Sequence, residues 1–102
     1  MPNANDSPER LADLLARFLK KSGFESRIKQ SAVIDQWATL VGPELAAVTR
    51  PLSVSEDGTL FVSARSHAWM SELTMMERDL LASINRITGD RPIHKLRWSL
   101  MR

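Results

Sequence analysis

LSVSEDGTLFVSAR, residues 52–65, is the stretch that decides the fold class. Leu52 and Val54 alternate with Ser53 and Ser55, and Leu60, Val62 and Ala64 alternate with Phe61, Ser63 and Arg65. That is the two-residue period of strands with one buried face. Between the runs, Glu56-Asp57-Gly58 supplies the turn, where glycine accepts the positive φ of a tight reversal without steric cost. The segment reads as a β-hairpin set in an otherwise largely helical chain.

Upstream, after a polar and flexible stretch at residues 1–6, Ser7-Pro8-Glu9 reads as an N-cap, a first-turn proline and an acid favoured by the helix dipole. Leu11, Leu14, Leu15, Phe18 and Leu19 then share one helical stripe, Gly23 ends the helix, and Lys20 and Lys21 complement the dipole in its last turn. A second helix is predicted from about Ser26 to Leu40. It carries Ile28, Val33, Ile34, Trp37, Leu40 and Val41 and is stopped by Gly42-Pro43, with one further turn over residues 44–49.

Downstream of the hairpin, Ser66 is placed to cap a long helix whose stripe runs Trp69, Leu73, Met76, Leu80, Ile84, Ile87 and ends at Gly89. Pro92 breaks away, and a final strand over 93–99 puts Leu96 and Trp98 on one face and Lys95 and Arg97 on the other. The predicted order is helix, helix, strand, strand, helix, strand: a small two-layer α+β domain over 7–102, with helices on one face of a three-stranded sheet. Its expected core joins Leu60, Val62, Trp69, Leu73 and Trp98 to Leu15, Phe18, Ile34 and Trp37, with the indole N–H groups needing partners.

A chain of 102 residues can bury one modest core. No apolar run approaches the ~20 residues of a membrane span, the N-terminus has neither a basic start nor an apolar segment, and no Cys is present to form disulfides or thiolate metal sites. A cytoplasmic protein without membrane partners is expected. Net charge is only +2, but it is unevenly spread. Residues 17–29 hold Arg17, Lys20, Lys21, Arg27 and Lys29 against Glu25, and residues 86–102 hold Arg86, Arg91, Lys95, Arg97 and Arg102 against Asp90. Between 30 and 85, seven acids face three arginines. Two basic ends around an acidic middle can build a basic face on a nearly neutral protein, although solvated surface explains the same clusters.

Phe61 lies on the strand face opposite Leu60, Val62 and Ala64, together with Arg65, and a final strand in the same sheet would bring Lys95 and Arg97 to that face. An aromatic ring among cations on an open sheet is a platform for single-stranded nucleic acid: bases stack and cations meet phosphate. A KH-type backbone clamp needs Gly-x-x-Gly, and the glycines stand at 23, 42, 58 and 89. His67 and His94 lack the neighbours of a metal set, and no nucleophile signature, phosphate loop or dinucleotide fingerprint occurs, so neither an enzyme, a cofactor nor a small-molecule substrate is expected.

Trp37, Val41-Gly42, Pro51, Gly58, Leu60, Val62, Trp69 and Glu72-Leu73 form the pattern W-x3-V-G-x8-P-x6-G-x-L-x-V-x6-W-x2-E-L. This resembles the DciA family of bacterial proteins, which assist loading of the replicative helicase onto DNA. The likeness runs from about residue 30 to Leu96-Arg97-Trp98, roughly two thirds of the chain. It implies a KH-like fold, which periodicity alone does not specify, and a non-enzymatic adapter with DNA and the replicative helicase as partners. Many members continue in a flexible tail taken to engage the helicase. This sequence stops three residues past the predicted last strand, which leaves open what would reach the helicase.

The expected DNA contacts are Arg17, Lys20, Lys21, Arg27, Lys29, Arg65, Lys95 and Arg97 to phosphate, without reading sequence and with weak affinity for single- or double-stranded DNA, and Phe61 to bases. The alternative is a protein-interaction module without nucleic-acid affinity, docking through Met70, Met75 and Leu81 beside the long helix's main stripe.

Overall fold

The hairpin forms as its alternation requires. In a computed structural model that describes residues 8–102, β1 (Thr49–Val54) runs antiparallel to β2 (Thr59–Ala64), with Thr49 opposite Ala64 and Val54 opposite Leu60. The readings of residues 1–6 and of the Ser7 cap lie outside the described residues. β1 begins three residues before the predicted start and carries a bulge between Pro51 and Ser53, which lets Pro51, with no N–H to donate, sit in the strand. Gly58 takes φ +87° at the turn. There its N–H donates to Ser55 O at 3.1 Å and its carbonyl accepts the His94 N–H at 2.8 Å. The Ser55 hydroxyl donates to Asp57, and the Thr59 N–H donates to Asp57 Oδ1 at 3.2 Å. Stabilised first by the Ser55 hydroxyl and then by Thr59, the exposed Asp57 carboxyl is held below its ordinary value.

β3 (Lys95–Leu100) lies on the other side of β2 and runs parallel to it, so the sheet order is β1-β2-β3. A parallel neighbour needs a crossover connection, and α5 (His67–Met75) with α6 (Glu77–Ile84) supplies it. Ser66 caps α5, its hydroxyl accepting the Trp69 N–H at 3.2 Å. The single long helix read from the stripe is broken at Met76, two residues after Thr74, whose hydroxyl donates back to Met70 O at 2.7 Å. Such back-bonding competes with the helical ladder and bends it. Helix α6 stops at Ile84, five residues short of Gly89.

On the N-terminal side, α1 (Pro8–Lys21) and α2 (Phe24–Asp35) meet at Gly23, φ +80°. The second predicted helix is divided at Gln36 into α2 and α3 (Trp37–Val41), and α4 (Pro43–Val48) adds the expected further turn. The core consists of Val33, Trp37 and Leu40 from α2 and α3, Leu60, Val62 and Ala64 from β2, Leu73, Leu80 and Ile84 from α5 and α6, and Ile93 and Leu96. Buried Trp37 donates its indole N–H to Thr49 Oγ1 at 2.8 Å, and the Thr49 hydroxyl in turn donates to Leu45 O at 2.6 Å. Trp98 and Ile34 pack against this cluster from its edge.

Three residues expected in the core are not there. Leu15 and Phe18 on α1 are 58% and 66% exposed, and Trp69 on α5 is 36% exposed. Leu11, Leu14 and Ile28 are exposed as well. A sheet three strands wide spans only about 10 Å between its outer strands, and helices need about 8–10 Å each, so α2, α3, α5 and α6 use up the inner face. Helix α1 is left to pack mainly on α2, and the molecule measures 68 × 23 × 22 Å. Its Cα radius of gyration is 18.2 Å, where a compact chain of this length has about 13 Å.

Candidate nucleic-acid interface

The outer face of the sheet is built from transverse rows of side chains. Phe61 has Ser53 as its partner on β1 and Arg97 on β3; Ser63 has Arg50 and Ser99; Thr59 has Lys95. Residues within a row are about 4.8 Å apart, and rows follow each other every ~6.7 Å along the strands. Arg50, Ser53, Lys95, Arg97 and Ser99 are exposed and Phe61 is half-buried. Inner-face neighbours Leu60, Val62 and Leu96 are buried; exposure follows the alternation for Lys95, Leu96 and Arg97 on β3, whereas on the central strand β2 the outer-face Thr59 and Ser63 are buried as well and only Phe61 is partly exposed. The outer face therefore carries three cations and one aromatic ring, and none of these eight residues is a carboxylate. Arg50, Lys95 and Arg97 take part in no ion pair among the described residues.

Side-chain clips place the strand that carries Lys95 and Arg97. Asn85, at the end of α6, donates from Nδ2 to Ile93 O at 2.8 Å and accepts the Ile93 N–H on Oδ1 at 2.7 Å. The wholly buried Thr88 donates its hydroxyl to the same Oδ1 at 3.1 Å. From α2, Gln30 Nε2 donates to Arg91 O at 3.2 Å. At the free edge of β3, the Leu96 N–H would have no strand partner, and Glu77 Oε1 accepts it at 3.1 Å. The placement of Lys95 and Arg97 is thus supported by polar contacts from both ends of α6 and from α2.

The expected DNA contacts fall into two groups. Phe61, Lys95 and Arg97 come together on the open sheet, and exposed Arg65 continues the same alternation just past the end of β2. Arg17, Lys20 and Lys21 are exposed on α1. On α2, Arg27 pairs with Glu56 of the hairpin turn at 3.2 Å, and Lys29 lies 4.0 Å from Glu25. These two cations already have carboxylate neighbours, though both pairs are solvent-exposed and worth little. Around α2 the two basic segments approach each other: a Cβ built on Gly89 would lie 3.3 Å from Lys29 Cδ, and one on Gly23 would lie 3.8 Å from an Arg91 guanidinium nitrogen.

Arg50 is an outer-face cation that a strand starting at Leu52 leaves out; counting pairs back from Gly58 through the bulge puts it opposite Ser63. Of the apolar residues considered for docking, Met70 and Leu81 pack against the core, whereas Met75 is 84% exposed. Glu72 and His67 are exposed on α5, and His94 is exposed just before β3. The described residues contain no group of three or more His, Asp or Glu suited to a metal ion, and none of their helices is long and apolar enough to cross a membrane.

A family model described as Dna[CI] antecedent, DciA matches residues 10–98, which extends the resemblance through α1 and α2. Among curated proteins, the chain is similar to several UPF0232 proteins. It is 35% identical over 89 residues to one from Mycolicibacterium smegmatis, covering 87% of this chain and 45% of the relative. It is 33% identical to one from Rhodococcus jostii, covering 94% and 51%, and 33% identical to one from Mycobacterium tuberculosis, covering 94% and 50%. The chain thus spans about half the length of the curated relatives it matches.

Proposed function

The chain belongs to the DciA family, and on that premise we propose that it is a non-enzymatic adapter in loading of the replicative helicase, holding DNA without sequence preference on the open face of its sheet. The observation that carries this reading is the row in which Phe61 and Arg97 are register partners, flanked by Lys95 and Arg50, on a face free of carboxylates. A base stacked on Phe61 leaves its phosphates within reach of cations on both neighbouring strands, and no acid repels them. Arg65 lengthens the same track. Arg17, Lys20, Lys21, Arg27 and Lys29 form a second, exposed basic surface that adds phosphate contacts.

A salt titration of binding to an oligothymidylate, followed by fluorescence anisotropy, tests this. With about four phosphates neutralised on a single strand, log K falls against log salt with a slope near −3, so affinity drops roughly 25-fold between 50 and 150 mM. Reversing Lys95 and Arg97 to Glu should weaken binding to all sequences alike and flatten the slope, and so should reversing Lys20, Lys21 and Lys29. Phe61→Ala should cost about 1–3 kcal/mol, the worth of a stacked base. No retention of single- or double-stranded DNA by the folded protein at low salt would overturn the reading.

One observation favours protein docking as a second reading: Leu11, Leu14, Leu15 and Phe18 make an exposed apolar stripe along α1, on a molecule elongated to 68 Å. Family membership makes the replicative helicase the partner to test first, and Leu15→Glu with Phe18→Glu should abolish its capture while leaving DNA affinity intact.

A further inference from the structure

At the end of the sheet beyond Phe61, the row Arg50–Ser63–Ser99 forms the floor of an open concavity of about 600 Å³. All three strands contribute to it, and its remaining walls are Leu52, Leu100, Met101 and Arg102. Leu52, the residue that the β1 bulge leaves unpaired, lines it, and Leu100 and Met101 line it where β3 ends, so the walls are mainly apolar while the floor and rim are hydroxyl and guanidinium. The Ser63 hydroxyl is directed to Arg50 O at 3.4 Å. Arg50 and Arg102 have no carboxylate partner among the described residues.

Two unpaired guanidinium groups, whose planar forks match phosphate, beside an apolar wall select a ligand with an anionic head and a flat, weakly polar body. A nucleoside monophosphate unit has that composition, and the volume falls within the range of small-molecule sites. We propose that this concavity is a nucleotide subsite, with the phosphate held between Arg50 and Arg102, Ser63 and Ser99 beneath it, and the nucleoside against Leu52 and Leu100. The inference rests on the open-sheet reading for its ligand, the DNA strand whose next base stacks on Phe61 one row away. It gives that strand a fixed end point: the subsite lies at the Ala64 end of β2, and Lys95 lies at the opposite end.

Chemical-shift titration of the intact chain with thymidine monophosphate tests the subsite apart from the platform. The amides of Arg50, Ser63, Ser99 and Leu100 should move and saturate at a millimolar dissociation constant, with inorganic phosphate at least threefold weaker and thymidine weaker still. Arg50→Ala combined with Arg102→Ala removes exposed side chains only, so the fold should persist. Nucleotide affinity should fall tenfold or more, and the oligothymidylate salt slope should flatten by about 0.7, the share of the one phosphate held there. The subsite is overturned if these amides stay unmoved at about 10 mM nucleotide, a concentration that would fill any millimolar site, or if the double variant binds as well as the wild type. The two readings fail separately. Loss of oligonucleotide binding in Phe61→Ala/Arg97→Ala with an unmoved subsite keeps the platform and removes the subsite. Saturable nucleotide binding with no effect of Phe61→Ala/Arg97→Ala on oligonucleotides does the reverse.

Discussion

Replacing Gly58 by Ala places a methyl group where three segments meet. At φ +87° the substitution forces an L-residue into the left-handed region, which costs about 1–2 kcal/mol. The added Cβ would also lie 2.8 Å from His94 Cδ2 and 3.2 Å from Pro92 O. His94 is exposed and its ring can swing away, but the Pro92 carbonyl belongs to the backbone that leads into β3, so a further ~1 kcal/mol, the low end of overpacking costs, is expected. The total, about 2–3 kcal/mol, should lower the melting temperature by roughly 8–20 °C for a domain of this size. Urea and thermal unfolding followed by circular dichroism measure it. The His94→Ala background isolates the ring contact: because the ring can swing away, it should recover under about 0.5 kcal/mol and leave the φ and carbonyl components in place. A cost under about 0.5 kcal/mol for Gly58→Ala would refute the turn geometry. A cost that disappears entirely with His94→Ala would refute the φ component.

Trp37→Ala should cost about 3–5 kcal/mol in chemical denaturation, since it opens a core cavity and removes the donor to Thr49, whereas Leu15→Ala on exposed α1 should stay within about 0.5 kcal/mol. Equal costs would contradict the exposure of α1. Asn85→Ala leaves the N–H and carbonyl of Ile93 without their partner at about 1–3 kcal/mol, and by loosening the entry to β3 it should also reduce DNA affinity. Unaltered amide exchange at Ile93 and Leu96 would count against that clip. Asp57 titrates below its ordinary value in the folded chain, so folding favours the carboxylate; the stabilisation is present at neutral pH and is lost as pH falls below about 4. Asp57→Asn should flatten the acid limb of a stability–pH curve, and an identical limb in the variant would refute the contribution.

Local rules were sufficient where a residue's role depends only on its neighbours in the chain. Gly58 sits at positive φ because a two-strand reversal requires it, and Ser66 caps α5 because the first helical amides need an acceptor. The alternation of Leu60 and Val62 with Phe61, and of Leu96 with Lys95 and Arg97, likewise carried over unchanged, since strand side chains alternate whatever lies beyond them. The grouping of Phe61, Lys95 and Arg97 was legible to the extent that the last strand belonged to the same sheet.

Tertiary structure decided which apolar stripes are buried and which strands are neighbours. The spacing of Leu11, Leu14, Leu15 and Phe18 is as regular as that of buried Leu73, Leu80 and Ile84, yet it faces solvent, because periodicity marks a face and says nothing about whether the sheet has room to cover it. Trp69 shares its stripe with buried Leu73 and Leu80 and yet lies partly outside the core. The parallel pairing that seats Arg97 beside Phe61, and the bulge that brings Arg50 into line with Ser63 and Ser99, depend on segments more than 12 residues apart meeting in one register. That register is held by Asn85, Gln30 and Glu77, polar side chains whose hydrogen-bond partners no local pattern reveals, because hydrogen bonding follows distance in space and a sequence records only distance along the chain.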